Sequence, residues 1–264
     1  MEWGLEDRVV VVTGAARGIG RTIAQRFSDA GAAVAALDVA VDGAQDFARG
    51  ARSAGRRASA FACDVTDSAS VKRALADVAE AFGGVDVVVN NAGINVDGPV
   101  EELSDTDFGR CLDVNVTGVF RMCQAAIPYL KQSTHGRIIN AASFAAIVPS
   151  VGSAAYAASK AAVVQFSRVL AGELGPWDVT VNAYAPGMIP TAMNGFAGLP
   201  EEAQARLLDT LTLRRWGDAT DVADLLLFLA SDAARYITGT LVDVSGGKLA
   251  TQVPAMAYER AGLL

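Results

Sequence analysis

A tyrosine and a lysine four positions apart are the pair of side chains best suited to chemistry in this sequence. Tyr156 and Lys160 lie in the helical pattern YAASK, and this spacing places both side chains on one face, one turn apart. A phenol ordinarily titrates near about 10, and a cation within about 4–6 Å favours its ionised form. The pair therefore predicts a phenolic general acid or base, although the same spacing also occurs on ordinary solvated helix faces.

The other residue types typical of catalytic centres are scarce. His135 is the only histidine and lies in a predicted loop, so a Ser-His-Asp triad would have to use it, and we predict a solvated loop side chain. Cys63, Cys111 and Cys123 are odd in number and far apart. They are predicted to be buried thiols, with neither a disulfide framework nor a metal site.

A glycine-rich turn, TGAARGIG, joins the first predicted strand to the first predicted helix. Gly14, Gly18 and Gly20 let the backbone approach a pyrophosphate, whose charge the helix N-terminus favours. Asp38 ends the second predicted strand, where a carboxylate accepts hydrogen bonds from the adenosine ribose and repels a 2′-phosphate. The positive charge of Arg17 weakly favours a 2′-phosphate and so opposes the effect of Asp38. The turn therefore predicts NAD as the cofactor, with NADP less favoured.

Apolar, β-branched runs alternate with amphipathic stretches along the chain. Strands are predicted at 8–13, 33–38, 58–63, 85–90, 137–142, 179–185 and 241–244, and helices at 18–30, 68–82, 105–131, 154–174 and 219–231. This alternation predicts an α/β, Rossmann-type doubly wound fold, with a seven-stranded, mostly parallel sheet and helices on both faces. Residues 1–264 are expected to form a single domain. The segment 188–213 breaks the rhythm and includes a helical stretch from Glu201. It is predicted to cover a site, although a surface connection also fits.

Composition argues against several classes of partner. The formal net charge is −7 and hydrophobic residues make up 52% of the chain, so a packed core is expected and nucleic-acid binding, which needs a basic face, is not. No apolar stretch is long enough for a membrane span, and the acidic N-terminus lacks a signal-peptide core. A cytoplasmic protein is expected.

Ser143 ends the fifth predicted strand, and with it the motifs stand in the order and spacing typical of one family. The sequence resembles the non-extended short-chain dehydrogenases/reductases over nearly its whole length, from the glycine turn to Ser245-Gly246-Gly247. The resemblance implies hydride transfer between the cofactor and a carbonyl or secondary alcohol. It implies that Tyr156 is the acid/base, that Lys160 contacts the nicotinamide ribose and lowers the tyrosine pKa, and that Ser143 binds the reacting oxygen.

The same resemblance assigns further residues by their match to the family motifs. Asn115, in the long central helix, would support a proton-relay water and completes the catalytic set. Asp64 would recognise the adenine amino group, and the backbone at Ile189 and the Thr191 hydroxyl would hold the carboxamide. The full predicted cofactor set is Gly14, Arg17, Gly18, Ile19, Gly20, Asp38, Asp64, Val65, Asn91, Ala92, Gly93, Tyr156, Lys160, Pro186, Gly187, Ile189 and Thr191.

Substrate identity is encoded weakly. Besides Ser143, the residues expected to line the substrate pocket are Asn95, Phe144, Val151, Met188 and Met193, with Ile147, Val148, Asn194 and Phe196 nearby. They are mostly apolar, which favours a neutral, medium-sized alcohol or ketone. Sugar or polyol dehydrogenases are the favoured relatives, because Asp38 and the acidic balance disfavour the alternative, an NADPH-dependent 3-oxoacyl carrier-protein reductase.

The same residues bear on two alternative functions and on the oligomeric state. A catalytically silent nucleotide-binding regulator would keep the fold but is expected to lose Tyr156 or Lys160, and both are present. The glycine spacing and the short chain argue against a dehydratase or epimerase of the extended branch. The helices at 106–131 and 154–174 are rich in small and apolar residues, so a homotetramer is expected by resemblance, and the tail 249–264 is a candidate for a subunit contact.

Overall fold

The computed structural model describes residues 3–192 and 194–263, and these form a parallel sheet between two layers of helices. The seven strands lie in the order β3-β2-β1-β4-β5-β6-β7, and every neighbouring pair is parallel. The predicted doubly wound fold is therefore confirmed, with an all-parallel sheet where a mostly parallel one was expected. The strands are β1 Val9–Thr13, β2 Ala33–Asp38, β3 Ala58–Ala62, β4 Val87–Asn90, β5 Arg137–Ala141, β6 Thr180–Pro186 and β7 Leu241–Val244.

The helices of the described residues lie close to the predicted positions, with two exceptions that the periodicity did not indicate, α2 and α9. They are α1 Gly18–Asp29, α2 Val41–Ser53, α3 Ser68–Phe82, α4 Asp105–Leu112, α5 Gly118–Leu130, α6 Ala154–Leu174, α7 Glu201–Leu208, α8 Ala219–Ala230 and α9 Ala255–Arg260.

The central strands are apolar on both faces because helices cover both faces. In β1 all five residues are buried. Val10 and Val12 contribute to one apolar layer, which includes Phe27 of α1. Val9 and Val11 contribute to the opposite layer, which includes Met122 of α5. The strand order runs outward in both directions from β1 and β4, so right-handed crossovers place helices on both faces. Because all strands are parallel, their carboxyl ends lie at one edge of the sheet.

The stretch predicted as one helix at 105–131 is interrupted. A π-helical turn, Asp113–Thr117, separates α4 from α5. Such turns insert an extra residue into a helix and frequently occur at functional sites. The prediction of an uninterrupted helix was wrong here, because apolar periodicity does not register a single extra residue.

The segment predicted to cover a site contains a 3₁₀ turn at Phe196–Gly198 and the helix α7. Its far end is bound to the residues after β7: the Leu213 amide donates to the Gly246 carbonyl at 3.0 Å, and the Leu249 amide donates to the Thr210 carbonyl at 2.8 Å. The segment is therefore anchored at its base by backbone hydrogen bonds.

The described residues contain neither a membrane-spanning helix nor a cluster of metal-ligating side chains. None of their helices is long and apolar enough to cross a membrane. Within the same part of the chain, no group of three or more histidine, cysteine, aspartate or glutamate side chains is arranged to hold a metal ion.

Candidate active site

The four predicted catalytic residues meet at the carboxyl edge of the sheet. Ser143 lies two residues beyond the end of β5, Tyr156 and Lys160 lie in the first two turns of α6, and Asn115 lies in the π-helical turn. Ser143 is extended (φ −167°), and its hydroxyl oxygen accepts a hydrogen bond from the Ala145 amide at 3.1 Å. The fold thus gathers side chains that are up to 45 positions apart, from 115 to 160, in the sequence.

Lys160 is buried, and its ammonium is turned toward Tyr156. Its Nζ atom lies 5.6 Å from the centroid of the tyrosine ring and donates a hydrogen bond to the Ala141 carbonyl at 2.8 Å. A side chain at Gly93 would place its Cβ 3.4 Å from the same Nζ and 3.1 Å from Oδ1 of Asn115. Glycine at position 93 therefore leaves the space in which these two polar groups lie.

The protonation equilibria of the pair are set mainly by burial. Burial lowers the pKa of Lys160 from 10.5 to about 8. Burial also raises the pKa of Tyr156, an effect that the Ser143 hydroxyl opposes and that the charges of Cys111 and Asp97 reinforce. Loss of solvent around the phenol has the largest effect, so the pKa of Tyr156 lies above its ordinary value in this structure. That Lys160 lowers the pKa of the tyrosine during the reaction stays a prediction.

Asn115 is fully buried and holds the loop after β4. Its Oδ1 accepts from the Ile94 amide at 2.9 Å, and its Nδ2 donates to the Ile94 carbonyl at 2.9 Å. The same Nδ2 donates to the Ser159 hydroxyl at 3.0 Å, and that hydroxyl donates to the Tyr156 carbonyl at 2.7 Å. Ser159 thus links Asn115 to the helix that carries the tyrosine. Sequence pattern carries no signal for this link, because a small polar residue within a helix is common.

The glycine turn has the conformation that a phosphate cradle requires. Gly14 (φ +67°) and Gly18 (φ +57°) are in the left-handed region, which disfavours any residue with a Cβ. A Cβ at Gly20 would overlap the Gly14 carbonyl oxygen and lie 2.5 Å from Nδ2 of Asn91. Arg17 begins α1 without a side-chain cap, so the first amides of the helix remain available to an anion. These residues fit the pyrophosphate of a dinucleotide.

Asp38 is held against the glycine turn. Its Oδ2 accepts a hydrogen bond from the Ala16 amide at 2.9 Å, and its Oδ1 accepts from the Ala40 amide at 2.9 Å. Both donors are backbone groups, so the carboxylate is fixed in position at the end of β2. Its negative charge lies where the adenosine ribose is expected.

Two neighbouring loops complete the cofactor side of the edge. The Thr13 hydroxyl accepts from the amides of Asn91 and Ala92, both at 3.0 Å, and ties the ends of β1 and β4 together. Thr13 begins the glycine-rich turn but is not among the residues assigned from the sequence. Asp64 is exposed, and the Thr66 amide and hydroxyl hydrogen-bond to one of its oxygens and lower its pKa. Its second carboxylate oxygen has no hydrogen bond in the described structure, while Val65 beside it is buried.

The loop after β6 is organised by one asparagine. Nδ2 of Asn194 donates to the Ile189 carbonyl at 2.7 Å, and its Oδ1 accepts from the Thr191 amide at 3.1 Å. Gly187 allows close packing, because a Cβ there would lie 2.5 Å from Cα of Ser245. Asn194 was expected to line the substrate pocket, yet in this structure it holds the two residues assigned to the carboxamide.

The residues expected to line the substrate pocket differ in exposure. Phe144 and Met188 are buried, while Val151 is fully exposed. The amide of Asn95 donates to the Asp97 carboxylate at 2.6 Å. Ile147, Val148 and Val100 add exposed apolar surface near Val151, where a hydrogen bond from the Gly98 amide to the Gly152 carbonyl joins the two loops. Met193 lies outside the described residues.

Comparisons with known proteins agree on one family. Residues 14–248 match a family model described as enoyl-(acyl carrier protein) reductase. The 3-oxoacyl-[acyl-carrier-protein] reductase FabG of Thermotoga maritima is 36% identical over 243 residues, which is 92% of this chain and 98% of that protein. The (2S)-[(R)-hydroxy(phenyl)methyl]succinyl-CoA dehydrogenase subunit BbsD of Thauera aromatica is 36% identical over 245 residues, 93% of this chain and 98% of that protein. A crystal structure from Sinorhizobium meliloti described as a short-chain alcohol dehydrogenase superposes with a TM-score of 0.90 at 36% identity, covering 95% of this chain and 100% of that one.

Proposed function

The chain belongs to the short-chain dehydrogenase/reductase family of oxidoreductases, and from this premise we propose that it interconverts a secondary alcohol and a ketone with NAD(H), using Tyr156 as the proton-transfer group. The observation that carries the proposal is the position of the Lys160 ammonium, 5.6 Å from the Tyr156 ring centroid, at the sheet edge that also holds the glycine turn.

Each polar group has a definite task in this reaction. When bound, the nicotinamide supplies the hydride chemistry. The Ser143 hydroxyl donates to the reacting oxygen, and Tyr156 exchanges the proton with that oxygen. Because the pKa of Tyr156 is raised in the described state, the phenol is protonated near neutral pH and suited to giving a proton to a ketone. Alcohol oxidation instead requires the phenolate, which a nearby ammonium stabilises.

NAD is the cofactor that Asp38 favours. Its carboxylate is fixed by two backbone amides and would lie beside the 2′-phosphate of NADP, a like-charge contact that NAD avoids. Arg17 is exposed at the same turn and offers only partial compensation.

The substrate we propose is a secondary alcohol or ketone flanked by hydrocarbon. Exposed apolar side chains at Val100 and Val151 suit such a flank. The sequence favours a sugar or polyol, and either stays a candidate within the same reaction class. The relatives support a second candidate about equally, since 3-oxoacyl-[acyl-carrier-protein] reductases are 36% and 37% identical to this chain.

The experiment that tests this proposal is a two-cofactor activity screen. The protein is assayed with NAD(H) and NADP(H) against polyols, sugars, aliphatic secondary alcohols and 3-oxoacyl thioesters. The proposal predicts hydride transfer, with a higher kcat/KM for NAD(H). Turnover of 3-oxoacyl thioesters with NADPH alone would favour the second candidate, a 3-oxoacyl-[acyl-carrier-protein] reductase. If none of the substrate classes shows hydride transfer, the silent nucleotide-binding regulator is favoured.

Assembly and location stay predictions. Phe120 and Val169 of α5 and α6 are exposed, and the ring of Phe120 contacts that of Phe166 edge-on with centroids 6.3 Å apart. This apolar surface supports pairing of these helices between subunits of a homotetramer, which sedimentation analysis would test. A cytoplasmic location is likewise proposed from the sequence.

A further inference from the structure

One lysine outside the predicted site lies against the catalytic loop. Nζ of Lys248 lies 5.5 Å from the centroid of the Phe144 ring, and Phe144 directly follows Ser143 in the chain. The lysine comes from the segment after β7, more than 100 positions away. No sequence pattern places a residue of that segment beside Phe144, and the apolar pocket residues predict a neutral substrate.

The Lys248 ammonium lacks a counter-ion in the described part of the chain. Among residues 3–192 and 194–263 it makes neither an ion pair nor a hydrogen bond, and its only close polar interaction is with the face of the Phe144 ring. The side chain is half-buried, and this burial lowers its pKa. A partly desolvated cation without an anion is energetically unfavourable, and an anionic ligand offsets that cost.

The turn that presents Lys248 is closely constrained. Gly246 (φ +68°) and Gly247 (φ +74°) are both in the left-handed region. The Lys248 amide donates to the Ser245 hydroxyl at 3.1 Å, and the Gly247 carbonyl accepts from the Thr212 amide at 3.2 Å. Because the base of the side chain is fixed, less conformational freedom is lost when its ammonium binds a ligand.

We propose that Lys248 binds a carboxylate of the substrate, so that the enzyme acts on a hydroxy acid or an oxo acid. Asp97 precedes Gly98, whose amide donates to the Gly152 carbonyl four residues before Tyr156, so its negative charge disfavours an anion on that side of the cleft. The carboxylate therefore lies on the Phe144 side, and the hydrocarbon part faces the exposed valines at 100 and 151. The inference that the enzyme acts on such an acid rests on the proposed hydride transfer, whereas binding of the carboxylate is measured separately.

The test compares an acid with its neutral ester. The probes are 3-hydroxyhexanoate and methyl 3-hydroxyhexanoate, oxidised with NAD⁺ by the wild type, Lys248→Gln, Lys248→Arg and the charge-matched control Lys72→Gln, whose lysine is exposed on α3. Loss of one charge-assisted contact should lower the acid-to-ester ratio of kcat/KM by about 10- to 100-fold in Lys248→Gln. Lys248→Arg should restore most of the ratio, and Lys72→Gln should leave it as in the wild type.

A binding measurement separates failure of the inference from failure of the proposed function. Calorimetric titration of 3-hydroxyhexanoate into the protein, with and without NADH, should show binding by the wild type that Lys248→Gln weakens by a similar factor. If the acid binds through Lys248 and none of the substrate classes in the two-cofactor screen shows hydride transfer, the proposed function fails and the inference stands. If the ester is oxidised while the acid neither binds nor reacts, or if Lys248→Gln leaves the acid-to-ester ratio unaltered, the inference is overturned. Absence of acid binding under both conditions also overturns it.

Discussion

Replacing Asp38 with asparagine should reduce the preference for NAD over NADP. The carboxylate is fixed by the amides of Ala16 and Ala40, each at 2.9 Å, so its charge cannot move away from a 2′-phosphate placed at the adenosine ribose. Asparagine keeps the shape and removes the charge, but its NH₂ group replaces one acceptor oxygen, so one of the two backbone hydrogen bonds is also lost. That loss affects both cofactors alike, so the NAD-to-NADP ratio reports the electrostatic part of cofactor selection.

The size of the effect follows from Coulomb's law. A 2′-phosphate carries roughly −1.5 to −2 charges near neutral pH, and two unit charges 4 Å apart interact by about 1 kcal/mol in water and about 4 kcal/mol near a protein surface. Asp38 is partly exposed, so we take about 1.5–3 kcal/mol. This energy corresponds to a fall of about 10- to 150-fold in the NAD-to-NADP ratio of kcat/KM.

The assay is steady-state kinetics with both cofactors at low and at high salt, with the same alcohol. Asp29→Asn is the matched control, because it removes the same charge from the other end of α1, about 16 Å away along the helix. Its cofactor ratio should stay within about twofold of the wild type. The reasoning is refuted if the wild type prefers NADP, or if Asp38→Asn and Asp29→Asn have the same ratio.

Three further substitutions and one glycine control test the buried groups of the site and one ion pair outside it. Lys160→Met should abolish turnover. It should also raise the free energy of unfolding in urea by about 1–3 kcal/mol near pH 7, because the buried ammonium disfavours folding. Since the folded-state pKa of Lys160 is lowered from 10.5 to about 8, the stability of the wild type should rise between pH 8 and pH 10.5, and that of the variant should not. Gly20→Ala should weaken NADH binding more than about tenfold in fluorescence titration, because its Cβ overlaps the Gly14 carbonyl, whereas Gly50→Ala, with nothing within 4 Å of its Cβ, should stabilise α2 by about 0.5–1 kcal/mol. Asp232→Asn should lower the free energy of unfolding by about 1–2 kcal/mol, because Arg8 is buried and pairs with the Asp232 carboxylate at 2.9 Å. This value is reduced because the carboxylate is exposed to solvent.

The aspartate also predicts a pH dependence. Burial acts to raise the pKa of Asp232, but hydrogen bonding and the charge of Arg8 outweigh it and hold the pKa below its ordinary value. A lowered pKa in the folded state contributes stability that is present above the unfolded value of about 4 and is lost as the pH falls further. Urea titrations at falling pH should show this loss in the wild type, and an equal decline in Asp232→Asn would contradict the assignment.

The strands and most helices could be predicted because burial on both faces leaves a strong pattern. The sequence of β1, VVVVT, is apolar throughout, and such a run between turn residues is typical of a strand covered by helices. The order of motifs then placed Ser143, Tyr156 and Lys160 at one edge, because parallel strands end together. These inferences depend only on local pattern and on the handedness of crossovers.

The rest depends on contacts between distant segments, which local pattern does not encode. The position of Lys248 over Phe144 depends on how the chain turns after β7. The direction of the Tyr156 pKa shift depends on burial, which outweighs the hydrogen bond with Ser143. The role of Asn194 depends on the fold of the loop after β6. Each concerns a polar group whose partner only the tertiary structure supplies.

The most direct measurement is the turnover number of Tyr156→Phe together with its NADH binding. Removing one hydroxyl keeps the ring and the Lys160 contact, and it deletes the proton-transfer group together with its hydrogen bond to Ser143. The account predicts that kcat falls by at least about 10²- to 10⁴-fold while NADH binding stays measurable by fluorescence. A variant that retains kcat within about tenfold of the wild type would contradict it.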